Sequence, residues 1–314
     1  MAKRSALGSA FYVGTADVSG DIGEINSAAL SRAYQDVSSI QDEGTARIPL
    51  RSDGEISYTA FWNTAAASSV PVLGDLSDTD TLVSWADGSS LGSYCASLWA
   101  HKVGFVTASG QDGSLGATGQ ALGSLGTRLE WGQLLTIGKQ TYAATQAISA
   151  WTTAHVYSLN DLVVPTTANG HYYKATTGGT SAAVTEPTWP TNGTTVADGP
   201  DTLVWTDQGL LPNGIDDLFP RTATTSTAFG LAAYLHLISI GSGSVTFTVQ
   251  DSANRIVWTN VTSGGFTAAT AAGTQRIQTA TNGTVRRYLR INVTGTFTNV
   301  VAVVSVVRYL NQQF

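Results

Sequence analysis

Four histidines, a few carboxylates and one cysteine are the residues of this 314-residue chain with the chemistry for acid–base, metal or nucleophilic work. Their spacing argues against it. His101, His155, His171 and His236 fall in unrelated stretches without ligand spacing. Glycoside hydrolysis takes two carboxylates, and Asp161 with Glu186 or Asp198 is the pair to consider, but the segment around them is too small to hold a cleft as well as a core. Asp75, Asp78 and Asp80 lack the Asp-x-Asp-x-Asp-Gly order and closing Glu of a calcium loop, so they read as a solvated turn or helix cap. Residues 109–127 are dense in glycine, but the span from Gly104 to Gly126 has no Gly-x-Gly-x-x-Gly between a strand and a helix. Cys95 stands alone, which leaves no intramolecular disulfide and no cysteine cluster for zinc. The expectation is therefore no catalytic residue, no cofactor and no metal.

The elements that would position any site are strands. Hydrophobic residues make up 42% of the chain and charged residues only 12%, with Gly, Ser, Thr, Ala and Val abundant, which is the texture of short strands and small-residue turns. Residues 1–150 carry 14 acids and 8 bases, residues 151–209 carry 5 and 1, and residues 210–314 carry 3 and 7. The acidic excess argues against gripping DNA phosphates, and the polarity along the chain suits attraction between neighbouring subunits or a solvated surface. Met1-Ala2-Lys3-Arg4 is not followed by an apolar core, so no signal peptide is expected. No apolar run approaches the ~20 residues that cross a bilayer, so no membrane insertion is expected.

The stretch from Ala46 to Trp62 organises the first part. After a turn signal at Asp53-Gly54, Ile56, Tyr58, Ala60 and Trp62 share one face, and Glu55, Ser57, Thr59 and Phe61 the other. One face is built for a core and the other for water. Upstream, residues 5–25 read as a Gly- and Ala-rich arm with a weak strand at Ala10–Val13. Residues 27–36 favour a helical turn, with Leu30 and Tyr34 four apart. Asp36 to Arg51 reads as a polar loop carrying Asp36, Asp42, Glu43, Arg47 and Arg51. Val83–Trp85 and Ala96–Thr107 are strand candidates, and 128–148 is a strand or helix.

From Trp151 to Gly209 prolines and aromatics gather in short motifs: Trp151 with Tyr157, LNDLVVP, NGHYYKATTGGTS, EPTWP and DGPDTLVW. These alternate strands with Asn-Gly or Asp-Gly turns, a small β unit near the lower limit for an independent core. Most of Trp151, Tyr157, Trp189 and Trp205 are expected as buried anchors. Residues 210–230 read as a linker with Pro212, Asp216, Asp217 and Pro220. Leu231–Ile240 is apolar, Val245, Phe247 and Val249 alternate inward, and Ile256-Val257-Trp258 is expected to close a hairpin with them. Arg287, Leu289, Ile291 and Val293 share a face, Gly295 is expected to turn the chain, and Val300–Arg308 returns as a strand covered on both sides. Arg286, Arg287 and Arg290 suit ion pairs better than a phosphate patch.

The 151–209 segment, through EPTWP and the DG…W motif, resembles small carbohydrate-binding-like modules inserted in phage virion proteins and glycan-processing enzymes. That resemblance implies contact with host-surface glycans, with Tyr172, Tyr173 and Trp189 as candidates. The flanking blocks resemble the major tail tube protein of long-tailed bacteriophages, through Phe11–Val18, Ala33–Ile40, Arg47–Trp62 and Arg286–Phe297. This implies a mainly β fold: a tail-tube-type β-sandwich with a flanking helix, split into 1–150 and 210–314 around the inserted module. It also implies self-assembly into stacked, hexameric rings whose inner sheets close into one barrel, with DNA passing through the lumen without specific binding. Implied partners are the tape measure, tail terminator and distal tail proteins, and the implied place is the virion tail, assembled in the host cytoplasm. Glu55, Ser57 and Thr59 are the lumen candidates, since Lys or Arg there would hold phosphates. Asp36, Asp42, Glu43, Arg47 and Arg51, with the arm from Lys3 to Val18, are the ring-stacking candidates, and the module would project from the tube exterior. The alternative is a phage adhesin or decoration protein that binds host-surface carbohydrate.

Overall fold

The computed structural model describes residues 8–111, 113–144, 149–167, 169, 171–210, 215–216, 226–253 and 257–310. The fold is mainly β, as its Val-, Thr- and aromatic-rich alternation predicts, with one short α-helix at Ser69–Leu73 among the described residues.

Two long strands carry the main body, and each changes partners along its length. In Tyr94–Ser109, residues 95–100 pair with Thr81–Ala86, and residues 100–109 pair with Leu115–Gly123. In Tyr288–Arg308, residues 288–298 pair with Ser242–Ser252, and residues 301–308 pair with Leu231–Ser239. The sequence reading places a turn at Gly295, and the structure corrects this, because the strand runs straight through it. Gly295 has φ +115°, and a Cβ there would stand 2.2 Å from the Ser244 carbonyl oxygen, so a glycine lets the two backbones cross. Leu231–Ser239 and the end of Tyr288–Arg308 are apolar on both faces because both faces are covered.

The first and last thirds of the chain share one sheet. Cys95–Ser97 pair with Glu130–Gly132, and Gln133 and Leu134 pair in turn with Val306 and Ser305. Side chains from both stretches fill common cores: Tyr12, Ala86, Cys95 and Leu134 pack with Val303, and Leu82 packs with Ala232, Tyr234 and Val307. A buried polar knot reinforces the joint. Glu130 accepts hydrogen bonds from the Tyr234 hydroxyl, from the Tyr309 hydroxyl at 2.6 Å and from Arg276 Nη2 at 3.2 Å. Burial pushes both phenols well above their ordinary range, which keeps them protonated as donors.

Among the described residues, 149–210 pair only among themselves, in a five-stranded and a two-stranded sheet. Of the expected linker, Pro212, Asp217 and Pro220 lie outside the described residues, while Asp216 pairs with Tyr288.

Several local expectations are corrected. Residues 27–36 are part of the Ile22–Asp36 strand instead of a helix, because pairing with Arg47–Phe61 overrides a weak helical preference. Ala10–Val13 is a buried strand paired with Thr81–Ala86 and not a loose arm, since Phe11, Tyr12 and Val13 are core residues; Lys3 lies outside the described residues. Trp62 falls just beyond its strand and is 38% exposed beside Phe105. The hairpin partner of Ser242–Ser252 is Thr259–Gly265 and not Ile256-Val257-Trp258, of which Ile256 lies outside the described residues. Asp53-Gly54 sits inside the Arg47–Phe61 strand, where a Cβ on Gly54 would stand 2.4 Å from the Leu129 nitrogen. Its glycine is required by that close approach and not by a turn. Gly54→Ala is expected to cost about 2 kcal/mol or more in chemical denaturation, because the neighbouring backbone cannot move away. Gly104→Ala, which meets nothing within 4 Å, is expected to stay within about 1 kcal/mol.

Candidate assembly surface

Ile22–Asp36, Arg47–Phe61, Leu115–Gly123 and the far half of Tyr94–Ser109 form four neighbouring strands. Their inner face carries Ile56, Tyr58, Ala60 and Ala121 against Phe11, Leu73 and Leu98, which is the core the alternation of the sequence predicts. The short helix sits on this side: Asp21 accepts from the Ser69 backbone N–H at 2.8 Å and holds Asn63 at 2.8 Å, which fixes the helix start.

The outer face is mainly polar, with Phe61 and Val106 also exposed on it. Ser27 Oγ lies 2.7 Å from Ser57 Oγ and donates to Glu55 at 3.2 Å, while Asn26 exchanges hydrogen bonds with Thr59. Across the sheet, Thr59 pairs with Thr118, Ser57 with Gln120, and Glu55 with Leu122. All three predicted outer residues thus lie in adjacent rows of one surface. The lysine of this sheet is turned away: Lys102 donates to the Val72 carbonyl at 2.7 Å and stands 3.9 Å from Asp75. Burial lowers its pKa, with Asp75 opposing.

Both edges of this four-stranded unit are open. Among the described residues, Ile22–Asp36 pairs only with Arg47–Phe61, and Gly104–Ser109 pair only with residues of Leu115–Gly123. Beyond the body, the first hairpin continues as an arm that is exposed from residue 29 to residue 51. Only 37–46 is loop, so Arg47 and Arg51 are strand residues and the expected 36–51 loop is the tip and one leg of a hairpin. Leu30, Tyr34, Val37, Ile48 and Leu50 are exposed along the arm, and Ile40 at the tip is 101% exposed. A two-stranded ribbon with this much bare apolar surface is marginal in water.

The ring-stacking candidates gather at the end of the arm. Asp36 lies opposite Arg47, and its carboxyl is held below the usual range by hydrogen bonds from the Ser38 hydroxyl and backbone N–H. Asp42 accepts from the Ser39 N–H, so two of the acids shape the tip loop. Glu43 is exposed beside them, and Arg51 lies further in along the strand.

The glycan candidates do not form one site. Tyr173 is 0% exposed in the core with Trp151, Tyr157 and Trp205, and its hydroxyl donates to the Pro190 carbonyl at 2.7 Å. This corrects its assignment as a surface contact. Trp189 is half-buried against Tyr173 with ring centroids 4.3 Å apart, and Tyr172 points to the opposite side of its strand.

Asp198, weighed from sequence only as a glycosidase carboxylate, is instead a structural acceptor. Only 4% exposed, it accepts from the indole N–H groups of Trp151 at 2.7 Å and Trp205 at 2.9 Å, and from the Ala182 N–H at 3.0 Å. The DG…W motif carries the signal, since Gly199 at φ +72° turns the chain directly after Asp198. Glu186 is likewise occupied by Trp189 Nε1 at 2.8 Å and by Thr166. The histidines have local partners too: His101 with Asp80, His171 with Asp207, His155 against Tyr157, and His236 with Gly14 and Ser84. Arg286 approaches Asp251 at 3.8 Å, and Arg290 lies over Trp258 and donates to Gln250, so these bases are held within the chain.

The fold and this surface define a mainly β protein with an open, polar-faced sheet continued into an apolar arm. No protein-family model and no curated protein matches the chain. Among solved structures it is similar to the Dit protein (gp 19.1) of SPP1, described as a paradigm of the hub adsorption apparatus in phages infecting Gram-positive hosts. That similarity has 9% identity and a TM-score of 0.30, and covers 96% of this chain and 99% of that one. It is also similar to the phage P2 baseplate in its activated conformation with Ca, at 10% identity and TM-score 0.27, over 96% of this chain and 98% of that chain. These TM-scores mark a loose likeness that assigns no role to this chain.

Asp198→Ala leaves two buried indole donors without an acceptor and is expected to destabilise the 149–210 unit by about 3 kcal/mol. Tryptophan fluorescence during denaturation is expected to give an early transition for this unit, while near-UV signals of the main body hold to the wild-type midpoint.

Proposed function

We propose that this chain is a structural subunit of a phage tail tube, polymerising as stacked rings that enclose a channel for DNA. The observation that carries this reading is the four-stranded sheet, polar on its outer face and open at both edges. In a ring, the Ile22–Asp36 edge of one copy pairs with the Gly104–Ser109 edge of the next, which satisfies the open backbone groups and closes the sheets into a barrel. The sequence resemblance to major tail tube proteins supports the same geometry, with six copies per ring.

The polar face then lines the lumen. Glu55, Ser57, Thr59, Thr118 and Gln120 offer hydroxyls, amides and acid, and Lys102 reaches the other side, so phosphates find no cation to hold them. The arm, with Asp36, Asp42, Glu43, Arg47 and Arg51 near its tip, seats on the adjacent ring and covers Leu30, Tyr34, Ile40 and Ile48. The 149–210 unit stands on the exterior, where Trp189 or Tyr172 offers a single aromatic face to host glycans. Tape measure, terminator and distal tail proteins meet the tube in the virion tail, after assembly in the host cytoplasm. The role is non-catalytic: Asp198 and Glu186, the carboxylates that a glycosidase would need, serve as acceptors for indole N–H groups.

A double variant, Tyr34→Asp with Ile48→Asp, tests the reading. Sedimentation velocity is expected to show assembly weakened at least about a hundredfold, with the thermal unfolding of the main body unchanged. Assembly at wild-type concentrations by this variant would remove the arm from the mechanism.

A further inference from the structure

The joint between the first and last thirds of the chain contains a titratable group that neither the barrel nor the arm requires. His236, 1% exposed, lies on Leu231–Ser239 and reaches across to the amino-terminal strands. Its Nδ1 is 2.7 Å from the Gly14 carbonyl oxygen, and its Nε2 is 2.9 Å from Ser84 Oγ. A carbonyl only accepts, so Nδ1 carries the proton and Nε2 accepts from the serine. The chain of hydroxyls continues: Ser84 Oγ is 2.9 Å from Ser97 Oγ, which is 3.0 Å from Ser305 Oγ and 3.6 Å from Cys95 Sγ. Each hydroxyl has one proton, so this ladder points its donors toward His236, with Ser97 giving to Ser84 and Ser305 giving to Ser97. It ties three amino-terminal elements to two carboxy-terminal strands.

We propose that His236 is a proton-sensitive latch on this joint, and that its protonation opens the seam between the two parts of the chain. A second ring proton requires Ser84 to turn its own hydrogen away and the ladder to reverse, and it places a positive charge in a site without a carboxylate. The groups facing the ring from each packed element are Tyr12 at 5.7 Å between ring centroids, Ser84, Ser97 with Cys95, and Ser305. Its partners in the pairing on either side are Val303 and Thr274, which do not titrate. Burial raises both Tyr12 and Cys95, Cys95 to about 11, so both are neutral near pH 7. The acids felt at the seam are Asp17, acting on Tyr12, and Asp87, acting on Cys95.

Burial pushes His236 down to about 4. The closed state therefore binds fewer protons than an open one, where the imidazole titrates near ~6.5. Closure is fully favoured above that value and weakens as pH falls toward 4, so the open population at pH 5 is about twentyfold that at pH 7.

Cys95 is the only cysteine in the chain and lies buried in the same seam, so it reports opening directly. Its reaction with dithiodipyridine, divided by the rate of a cysteine peptide in the same buffer, is expected to rise about twentyfold from pH 7 to pH 5. In His236→Asn the normalised rate is expected to change less than about threefold. A flat wild-type profile, or an equal rise in His236→Asn, would overturn the latch. If that variant does not fold, nitrogen-15 imidazole spectra of the wild type decide. A folded His236 that stays in the Nδ1-protonated neutral form down to pH 5 supports the latch, and the other tautomer or an imidazolium at neutral pH contradicts it.

Discussion

A backbone N–H or C=O at a sheet edge keeps a hydrogen bond available to any chain that can reach it, and this constraint governs the molecule. Among the described residues, Ile22–Asp36 presents fifteen residues of strand with one partner, and the far half of Tyr94–Ser109 presents a second free edge on the other side of the same four strands. Natural monomers blunt such edges with charge, proline or a covering loop. Here the longer edge runs out into an apolar arm. The arrangement is costly for an isolated chain and sensible for a repeating one, because every copy carries both edges and can satisfy a neighbour with each.

The rest of the fold holds those edges in place. Tyr94–Ser109 and Tyr288–Arg308 are each long enough to belong to two groups of strands, so shifting one half shifts the other. The register between the amino-terminal and carboxy-terminal parts rests on backbone pairs at Gln133 and Leu134 and along Gln140–Ala144. Buried polar groups make that register specific: Glu130 needs Tyr234, Tyr309 and Arg276, and His236 needs Gly14 and Ser84. A slip by one residue would leave these donors and acceptors unpaired in a dry interior, an error that apolar packing alone would tolerate.

Strict alternation made the strands at 56–60 and 245–249 legible, and a continuous apolar run identified 300–308 as covered on both faces. The signal failed where a distant partner decides the structure. Residues 27–36 have no strong strand pattern, and only their pairing with Arg47–Phe61 extends them. Gly54 and Gly295 look like turn residues because a required close approach and a required turn select the same amino acid. Three outer-face residues, Glu55, Ser57 and Thr59, were legible as a set because strand period places them together. Tyr173 was not, since its neighbour Tyr172 has the same chemistry and only the direction of the pleat separates core from surface. Asp198 read as a turn residue, and its service to Trp151 and Trp205 depends on contacts 47 and 7 residues away in sequence.

The central claim is that the two open edges of the four-stranded sheet join between copies to enclose a polar channel. Negative-stain electron microscopy of the purified full chain over a concentration series tests it most directly. The account expects rings or open tubes with a stain-filled centre and regular knobs outside. Particles that remain single, or aggregates without a channel, at every concentration and salt condition would contradict it.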